Sequence, residues 1–156
     1  MHIRRYSSKD ISEIVELFYN TVHTVNLKDY SLEEVEAWAP KDIDKDAWNR
    51  RLSENFTIVA EQDGIIVGFA SLACNGYYDM LYIHKDYQRQ GIAAALTDII
   101  EKEAVPCGIN ELTADVSITA KPFFEKKGYE VLKKQSVERK GVLLTNYRMR
   151  KTTVFY

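Results

Sequence analysis

Residues Leu81 to Leu96 read LYIHKDYQRQGIAAAL and are the most informative segment of the sequence. It begins as an apolar strand, passes through a polar turn and opens at Gly91 into an amphipathic helix. The first N–H groups of a helix have no acceptor within the helix, and the helix dipole adds partial positive charge there. Gly91 and Ala93 carry little or no side chain, so a ligand can approach the backbone. The stretch therefore predicts a cradle for a pyrophosphate.

Two better-known phosphate motifs are absent from the sequence. It lacks G-x-x-x-x-G-K-[ST], which argues against a P-loop nucleotide hydrolase, and it lacks G-x-G-x-x-G, the dinucleotide fingerprint. A strand followed by glycine and a helix is also compatible with an ordinary turn glycine. The stretch alone therefore leaves open whether Gly91 binds a ligand or only turns the chain.

Hydrophobic periodicity predicts strands and helices on both sides of this stretch. Strands are predicted at 2–6, 56–61, 65–74, 77–83, 111–116, 129–137 and 142–150. Helices are predicted from Asp10, from the capping box at Ser31, around 46–52, over 91–104 and over 121–127. This order predicts an α/β (α+β) fold, with a central mixed, largely antiparallel sheet of about seven strands and helices on both faces.

The composition is that of one ordinary globular domain spanning residues 1–156. Hydrophobic residues make up 46% of the chain and charged residues 28%, and the formal net charge at pH 7 is -2. No repeat, low-complexity segment or linker divides the sequence. Nucleic-acid-binding proteins are usually basic, so nucleic acid is not an expected partner.

Charge is distributed unevenly along the chain. Residues 28–63 include ten acidic and five basic side chains, whereas residues 121–151 include ten basic and three acidic ones. These segments can simply be two solvated faces. They can also make the molecule dipolar, with an anionic ligand near the C-terminal half and a cationic ligand near the N-terminal half.

The sequence predicts neither a targeting segment nor a metal site. The N-terminus is polar, and no apolar run is long enough to span a membrane. Cys74 and Cys107 form neither a metal-type nor a redox pair. We therefore expect a cytoplasmic protein without a bound metal or a membrane partner. Whether it forms a homodimer stays open.

Two motifs resemble those of the GNAT acetyltransferases. The pattern Gln88-x-x-Gly91-x-Ala93 resembles the family's [Q/R]-x-x-G-x-[G/A] and follows a strand ending in Leu-Tyr-Ile. The block from Ser117 to Tyr129, SITAKPFFEKKGY, resembles the family's N-x-x-A-x-x-[FL]-Y-x-x-x-G-F. The resemblance covers nearly the whole chain in the family's element order, and it implies a GNAT fold.

This resemblance implies transfer of an acetyl group from acetyl-coenzyme A to a primary amine, by direct attack in a ternary complex. Backbone N–H groups from Arg89 to Ala94 would hold the pyrophosphate, and the backbone of Leu81 and Ile83 would pair with the pantetheine arm. The Leu81 N–H is the implied donor to the thioester carbonyl. The implied cofactor-binding residues are Leu81, Tyr82, Ile83, Gln88, Arg89, Gln90, Gly91, Ile92, Ala93, Ala94, Ser117 and Phe124.

Two positions depart from the family pattern. Ser117 stands where an Asn often binds the pantetheine arm, although a hydroxyl can still bond there. Phe124 stands where many members carry the Tyr that protonates the leaving thiolate. Either the thiolate leaves unaided, since its thiol resembles Cys with a pKa of about 8.5, or Tyr147 or Tyr129 supplies the proton. The departure at Phe124 also supports an alternative function, a non-catalytic acetyl-coenzyme A sensor.

An amine acceptor arrives mostly as ammonium, because Lys-type amines have a pKa of about 10.4, so a base must take a proton. In the family the base often lies on the strand before the phosphate loop, on the side of Ile83. Strand alternation predicts Tyr77, Asp79 and Leu81 on that side. Asp79 is the only carboxylate among them and is the predicted base; Tyr77 comes second, as a hydrogen-bond donor or a residue that positions a water molecule. An ion pair at the strand end is the structural alternative for Asp79.

The acceptor is expected to enter over the first two helices. His23, Asn26, Tyr30 and Trp38 supply polar and aromatic groups there and are the predicted acceptor residues. Tyr30 and Trp38 are equally consistent with core positions, and His23 with a structural role. The acidic balance of the region favours a cationic amine. The sequence leaves open whether the acceptor is a small molecule or a peptide.

Overall fold

The computed structural model describes residues 1–153, which contain seven strands in two antiparallel groups. The first group comprises β1 (His2–Arg5), β2 (Phe56–Gln62), β3 (Ile65–Leu72) and β4 (Tyr78–Ile83), paired in that order. The second comprises β5 (Glu111–Ser117), β6 (Glu130–Arg139) and β7 (Val142–Thr152), with β7 in the centre. A parallel bridge from Tyr77 to Thr113 joins the groups. The predicted mixed, largely antiparallel arrangement is confirmed.

Helices cover both faces of these strands. The helices α1 (Ile11–Thr24), α2 (Leu32–Trp38) and α3 (Lys45–Glu54) lie on one face, and α4 (Ile92–Ala104) and α5 (Lys121–Lys126) on the other. Side chains fix two of the starts: Ser31 and Glu34 form the predicted capping box, and Asp44 accepts from the Ala47 N–H at 3.0 Å. Among residues 1–153 no helix is long and apolar enough to cross a membrane.

Each face of the β1–β4 group is buried in its own apolar core. On the α4 face, Leu96 and Ile100 pack against Val67 and Ala70 of β3. Gly68 lets α4 approach β3 closely, because a Cβ atom there would lie 2.9 Å from Ile83 Cδ1 and 3.1 Å from Ile92 Cγ2. This close packing holds the N-terminus of α4 beside the end of β4.

The β4 and β5 strands meet at their beginnings and then separate. The Thr113 N–H donates to the Gly76 carbonyl at 3.1 Å, next to the Tyr77–Thr113 bridge. Beyond that point no ladder pair joins β4 to β5 in the described part of the chain. The edge of β4 therefore faces a gap that begins at the bridge and opens toward the N-terminus of α4.

Candidate active site

The loop before α4 presents free backbone N–H groups. Gly91 precedes the helix with a φ of +81°, and Arg89 also has a positive φ, +60°. The Ala95 N–H makes the first bond within the helix, to the Gly91 carbonyl at 3.1 Å. No described side chain caps this end, and apart from the adjoining backbone no described atom lies within 4 Å of where a Gly91 Cβ would stand. The geometry suits an anion at the helix start.

Side chains within the loop hold its shape. Gln88 Nε2 donates to the carbonyls of Ile83, at 2.8 Å, and His84, at 3.3 Å. The Asp86 N–H donates to His84 Nδ1 at 3.0 Å, and the Tyr87 ring packs edge-on against the His84 ring. Gln88 and His84 thus fold the loop back onto the end of β4 and place the α4 N-terminus relative to it.

The free edge of β4 offers hydrogen-bonding groups to the gap. The His84 N–H donates to the Val67 carbonyl of β3 at 2.8 Å. Backbone groups alternate between the two edges of an antiparallel strand, so the N–H groups of Leu81 and Ile83 point the other way, toward β5. The Ile83 carbonyl on the same edge is occupied, since it accepts from Thr21 Oγ1 at 2.9 Å and from Gln88 Nε2, so the edge offers mainly its N–H groups. An extended ligand can therefore add to this edge as a strand does.

A pocket of about 230 Å³ lies on the face covered by α1, α2 and α3, and its floor spans β4 and β5. Six aromatic rings line it, those of Phe18, Tyr30, Trp38, Trp48, Tyr77 and Tyr82. Edge-on contacts join them, with Phe18 and Tyr82 at 4.8 Å and Tyr30 and Trp38 at 5.3 Å between centroids. The result is a small chamber next to the gap, lined by aromatic rings and by charged and polar side chains.

Two of the four predicted acceptor residues, Tyr30 and Trp38, line this chamber. Besides lining it, Tyr30 donates its hydroxyl to the Thr145 carbonyl at 2.5 Å and accepts from the Ile118 N–H at 2.9 Å. Burial raises the pKa of Tyr30. Its hydroxyl is therefore part of the scaffold that joins the helices to the β5–β7 group.

The structure does not bring His23 or Asn26 to the pocket. His23 Nε2 donates to the Ala39 carbonyl at 2.7 Å, and the ring stacks on Tyr19 at 4.1 Å. Asn26 is buried, and its backbone carbonyl accepts from the Tyr30 N–H at 3.1 Å. Both residues stabilise the turn between α1 and α2.

A β-bulge overturns the predicted grouping of Asp79 with Leu81 and Ile83. Ser71 pairs with Met80 and Leu72 with Tyr78, which leaves Asp79 as the extra residue. Leu81 and Ile83 pack on the α4 face, whereas Asp79 lines the pocket on the opposite face. The prediction from simple alternation was wrong because an extra residue reverses the faces of the strand.

The carboxylate of Asp79 is paired with Arg51 of α3. Arg51 bonds both oxygens, with Nε at 2.6 Å from Oδ2, and Asn55 Nδ2 donates to Oδ2 at 3.2 Å. Only 5% of the Asp79 side chain is exposed, against 53% of Arg51. The bond to Asp79 raises the pKa of Arg51. No local sequence pattern links residues 51 and 79, so Arg51 is a site residue that the sequence did not reveal.

A second carboxylate, Asp115 of β5, lies in the same pocket. It accepts from Tyr77 Oη at 2.8 Å, Gln135 Nε2 at 2.6 Å and Arg148 Nε at 2.7 Å. Burial first, and then the bond to Asp115, raise the pKa of Tyr77. The Tyr77 phenol therefore stays protonated near neutral pH and acts as a hydrogen-bond donor rather than as a base.

The candidate acids lie on the α4 and α5 face. Phe124 is buried, and its ring centroid lies 5.0 Å from that of Tyr129. The Tyr129 hydroxyl donates to Glu101 at 2.9 Å, and burial raises its pKa, so it is engaged elsewhere. Tyr147 is half-buried opposite Val116, and its hydroxyl bonds to no described residue. Tyr147 is the freer of the two candidate donors.

Three further predicted features can be located. Ser117 lines the pocket, and its Oγ accepts from the Ala120 N–H at 3.0 Å. Cys74 and Cys107 are exposed, and neither lines the pocket. Within residues 1–153 no three His, Cys, Asp or Glu side chains are grouped to hold a metal ion.

Comparison with known proteins places this arrangement in a family. The model of the acetyltransferase (GNAT) domain matches residues 26–151. The uncharacterized N-acetyltransferase YafP of Escherichia coli (strain K12) is 37% identical over 150 residues, covering 96% of this chain and 95% of the relative.

Solved structures agree with this placement. A GCN5-related N-acetyltransferase from Rhodopseudomonas palustris superimposes with a TM-score of 0.93 at 36% identity, covering 97% of this chain and 94% of the other. The PaiA N-acetyltransferase of Thermoplasma acidophilum, in complex with coenzyme A, has a TM-score of 0.79 at 21% identity, covering 97% of this chain and 98% of the other. The family model covers most of the chain and a relative of the same family is 37% identical along nearly its whole length, so the chain belongs to the GNAT family of acetyltransferases.

Proposed function

We propose that the protein transfers the acetyl group of acetyl-coenzyme A to a primary amine by direct attack in a ternary complex. The observation that carries the proposal is the free edge of β4, which runs from the anion-binding loop to the floor of the aromatic pocket. A cofactor stretched along this edge has its pyrophosphate at the N-terminus of α4. Its thioester then lies beside Leu81, within reach of an amine in the pocket.

The backbone supplies most of the proposed cofactor contacts. The N–H groups from Arg89 to Ala94 bind the pyrophosphate, because they carry the positive end of the α4 dipole. The Leu81 N–H donates to the thioester carbonyl and stabilises the negative charge that develops on its oxygen. Among structural neighbours, the PaiA protein contains coenzyme A and the yncA protein of Salmonella typhimurium contains acetyl-coenzyme A.

Direct attack fits the positions of the cysteines. Cys74 and Cys107 are exposed and outside the pocket, so neither is placed to carry the acetyl group. In the proposed step the amine nitrogen forms a bond to the carbonyl carbon, and the carbon–sulfur bond then breaks. The nitrogen loses a proton to a base, and the thiolate leaves as such or takes a proton from Tyr147.

Asp79 is the proposed base. It and Asp115 are the two carboxylates that line the pocket, and Asp115 is engaged by Tyr77, Gln135 and Arg148. Arg51 is half exposed, so its guanidinium can turn toward solvent and free an oxygen of Asp79. Asp79 then receives the proton directly or through a water molecule.

Steady-state kinetics test the proposal. Thiol release is measured while acetyl-coenzyme A and each member of an amine panel are varied together. A ternary complex gives intersecting double-reciprocal lines, and the Cys74→Ser/Cys107→Ser variant should show the same pattern. Parallel lines would instead point to an acetylated enzyme. If acetyl-coenzyme A binds but no amine accelerates thiol release, the sensor function is the correct one.

A further inference from the structure

The charges around the aromatic pocket are balanced except at one arginine. Asp79 is paired with Arg51, and Asp115 is paired with Arg148. Arg139 also lines the pocket, and its Nη1 donates to the Glu138 carbonyl at 3.0 Å. No carboxylate of residues 1–153 forms an ion pair with Arg139. The pocket therefore has one positive charge without a partner.

The alternation of β6 explains why Arg139 faces the pocket. Gln135 bonds to Asp115, and Val137 packs with the core on the α1 face. Residues two apart on a strand share a face, so Arg139 follows Gln135 and Val137, and Glu138 lies on the other side. Arg139 is exposed at the end of β6. This places a solvent-accessible guanidinium at the mouth of the chamber.

The aromatic walls of the chamber suit the flat part of a small ligand, while charged and polar side chains line the remainder. Its volume is about 230 Å³, below the roughly 300–1,000 Å³ of pockets that take drug-sized ligands. Rings such as those of Tyr82 and Trp38 make its walls, and aromatic walls pack best against planar apolar groups. The acidic residues near the site are neutralised by arginines, so they leave no excess negative charge to attract a polycation.

We propose that the acceptor is a small primary amine with a planar apolar body and a carboxylate, the chemistry of an aromatic amino acid, and that Arg139 binds the carboxylate. A guanidinium binds a carboxylate through two parallel hydrogen bonds, which fixes orientation as well as affinity. The inference rests on the proposed function, and it makes the acceptor zwitterionic, whereas the acidic balance of the first two helices favoured a cationic amine.

Matched acceptor pairs test the carboxylate requirement. L-phenylalanine is compared with phenethylamine, and L-tryptophan with tryptamine, at equal concentrations of unprotonated amine. We expect each amino acid to have a kcat/KM about tenfold or more above that of its decarboxylated partner, the range for a charged hydrogen bond. An equal or higher kcat/KM for phenethylamine and tryptamine would overturn the inference while leaving the proposed acetyl transfer intact.

Variants of Arg139 test whether its guanidinium causes the preference for acceptors that carry a carboxylate. Arg139→Gln should raise KM for L-phenylalanine about tenfold or more with little change in kcat, and should leave phenethylamine unaffected. Arg139→Lys should keep part of the preference. Arg150→Gln removes the same charge from β7, outside the pocket, and should behave as the parent. If Arg139→Gln keeps the full preference, or slows both amines equally, Arg139 does not bind the carboxylate.

Binding can also be measured without turnover. The chain has two tryptophans, Trp38 and Trp48, and both line the pocket. Titration with L-phenylalanine should therefore change the intrinsic fluorescence, with a dissociation constant that Arg139→Gln raises. If this binding is found but no amine releases thiol, the proposed function fails and the ligand class stands. If no fluorescence change and no turnover of the amino acids occur, the ligand class fails.

Discussion

Arg51 of α3 and Asp79 of β4 form a two-point ion pair on the wall of the aromatic pocket, with the carboxylate buried and the guanidinium half exposed. The pair has two consequences that can be separated by experiment. It joins α3 to the bulge in β4. It also engages both carboxylate oxygens of Asp79, the proposed base, and one of them must be freed before Asp79 can take a proton.

The first prediction concerns proton removal by Asp79. Asp79→Asn should lower kcat by roughly 10²–10⁴-fold, the range for a lost general base. The loss should shrink as the pH rises, because the amine then arrives unprotonated. A pH–rate profile with one confirmed acceptor is the measurement.

Arg51→Gln is the matched control, because it breaks the same ion pair but keeps the carboxylate. If Asp79 is the base, Arg51→Gln should retain far more activity than Asp79→Asn. Equal losses in the two variants across the profile would show that Asp79 acts only through its pair with Arg51.

The second prediction concerns the loop at Gly91. The positive φ there favours glycine, and the space beside its Cα is open in the described structure. Gly91→Glu should keep the fold but lose most coenzyme A affinity, because the carboxylate occupies and repels the pyrophosphate site. Calorimetric titration with acetyl-coenzyme A measures the loss. Gly91→Ala controls for backbone strain and should bind better than Gly91→Glu; equal affinity of Gly91→Glu and the parent would assign the loop another role.

The third prediction concerns the leaving thiolate. Phe124→Tyr restores the residue found in many family members, yet it should change kcat by less than about tenfold, below the ~10²–10⁴ of general acid catalysis. The reason is that the thiolate leaves unaided or is protonated by Tyr147. Tyr147→Phe distinguishes the two, since it lowers kcat only if Tyr147 donates. A gain of more than about a hundredfold in Phe124→Tyr would show that the parent lacks an effective acid.

The fourth prediction concerns the packing of α4 on β3. Gly68→Ala should destabilise the protein by about 1–3 kcal/mol, because the added methyl group overpacks the contact with Ile83 and Ile92. Urea unfolding gives the free energy. Ile83→Val removes the nearest atom, Cδ1, so the double variant should recover part of the loss in a mutant cycle. Additive losses would show that the Ile83 contact does not limit the packing.

The fifth prediction concerns stability at low pH. Arg4 forms two hydrogen bonds with Asp10, which also accepts from the Ser7 N–H at 2.8 Å, and the bonds to Arg4 lower the pKa of Asp10 despite its burial. A carboxyl group whose pKa is lower in the folded state than in the unfolded state stabilises the protein at pH values above the unfolded-state pKa. That stabilisation is lost as the pH falls through the folded-state pKa.

Asp10→Asn should therefore lower the free energy of unfolding at pH 7 by about 0.5–2 kcal/mol, between the values for an exposed ion pair and for a hydrogen bond to a charged group. The difference from the parent should shrink as the pH falls below the unfolded pKa of about 3.9. Glu16→Gln, an exposed change on α1, is the control. A pH-independent difference would show that charge does not contribute.

Features encoded by neighbouring residues could be predicted from the sequence. The strand, turn and helix from Leu81 to Leu96 follow from hydrophobic periodicity and one glycine, since hydrogen bonds within a few residues shape the loop. The capping box at Ser31 is equally local. For these elements the sequence determined the type and the order, and small differences arose at the ends, as where β7 continues to Thr152.

Packing between elements that are distant in the chain sets which side chains meet in the pocket. Arg51 reaches Asp79 because α3 packs beside a bulge in β4, and a bulge depends on pairing with β3 rather than on the sequence of β4. Arg139 reaches the pocket because β6 pairs with β7, and β7 in turn pairs with β5. Periodicity determines the faces of one element, but the contacts between distant elements depend on how their surfaces pack, and a single extra residue in a strand reverses which side chain the pocket receives.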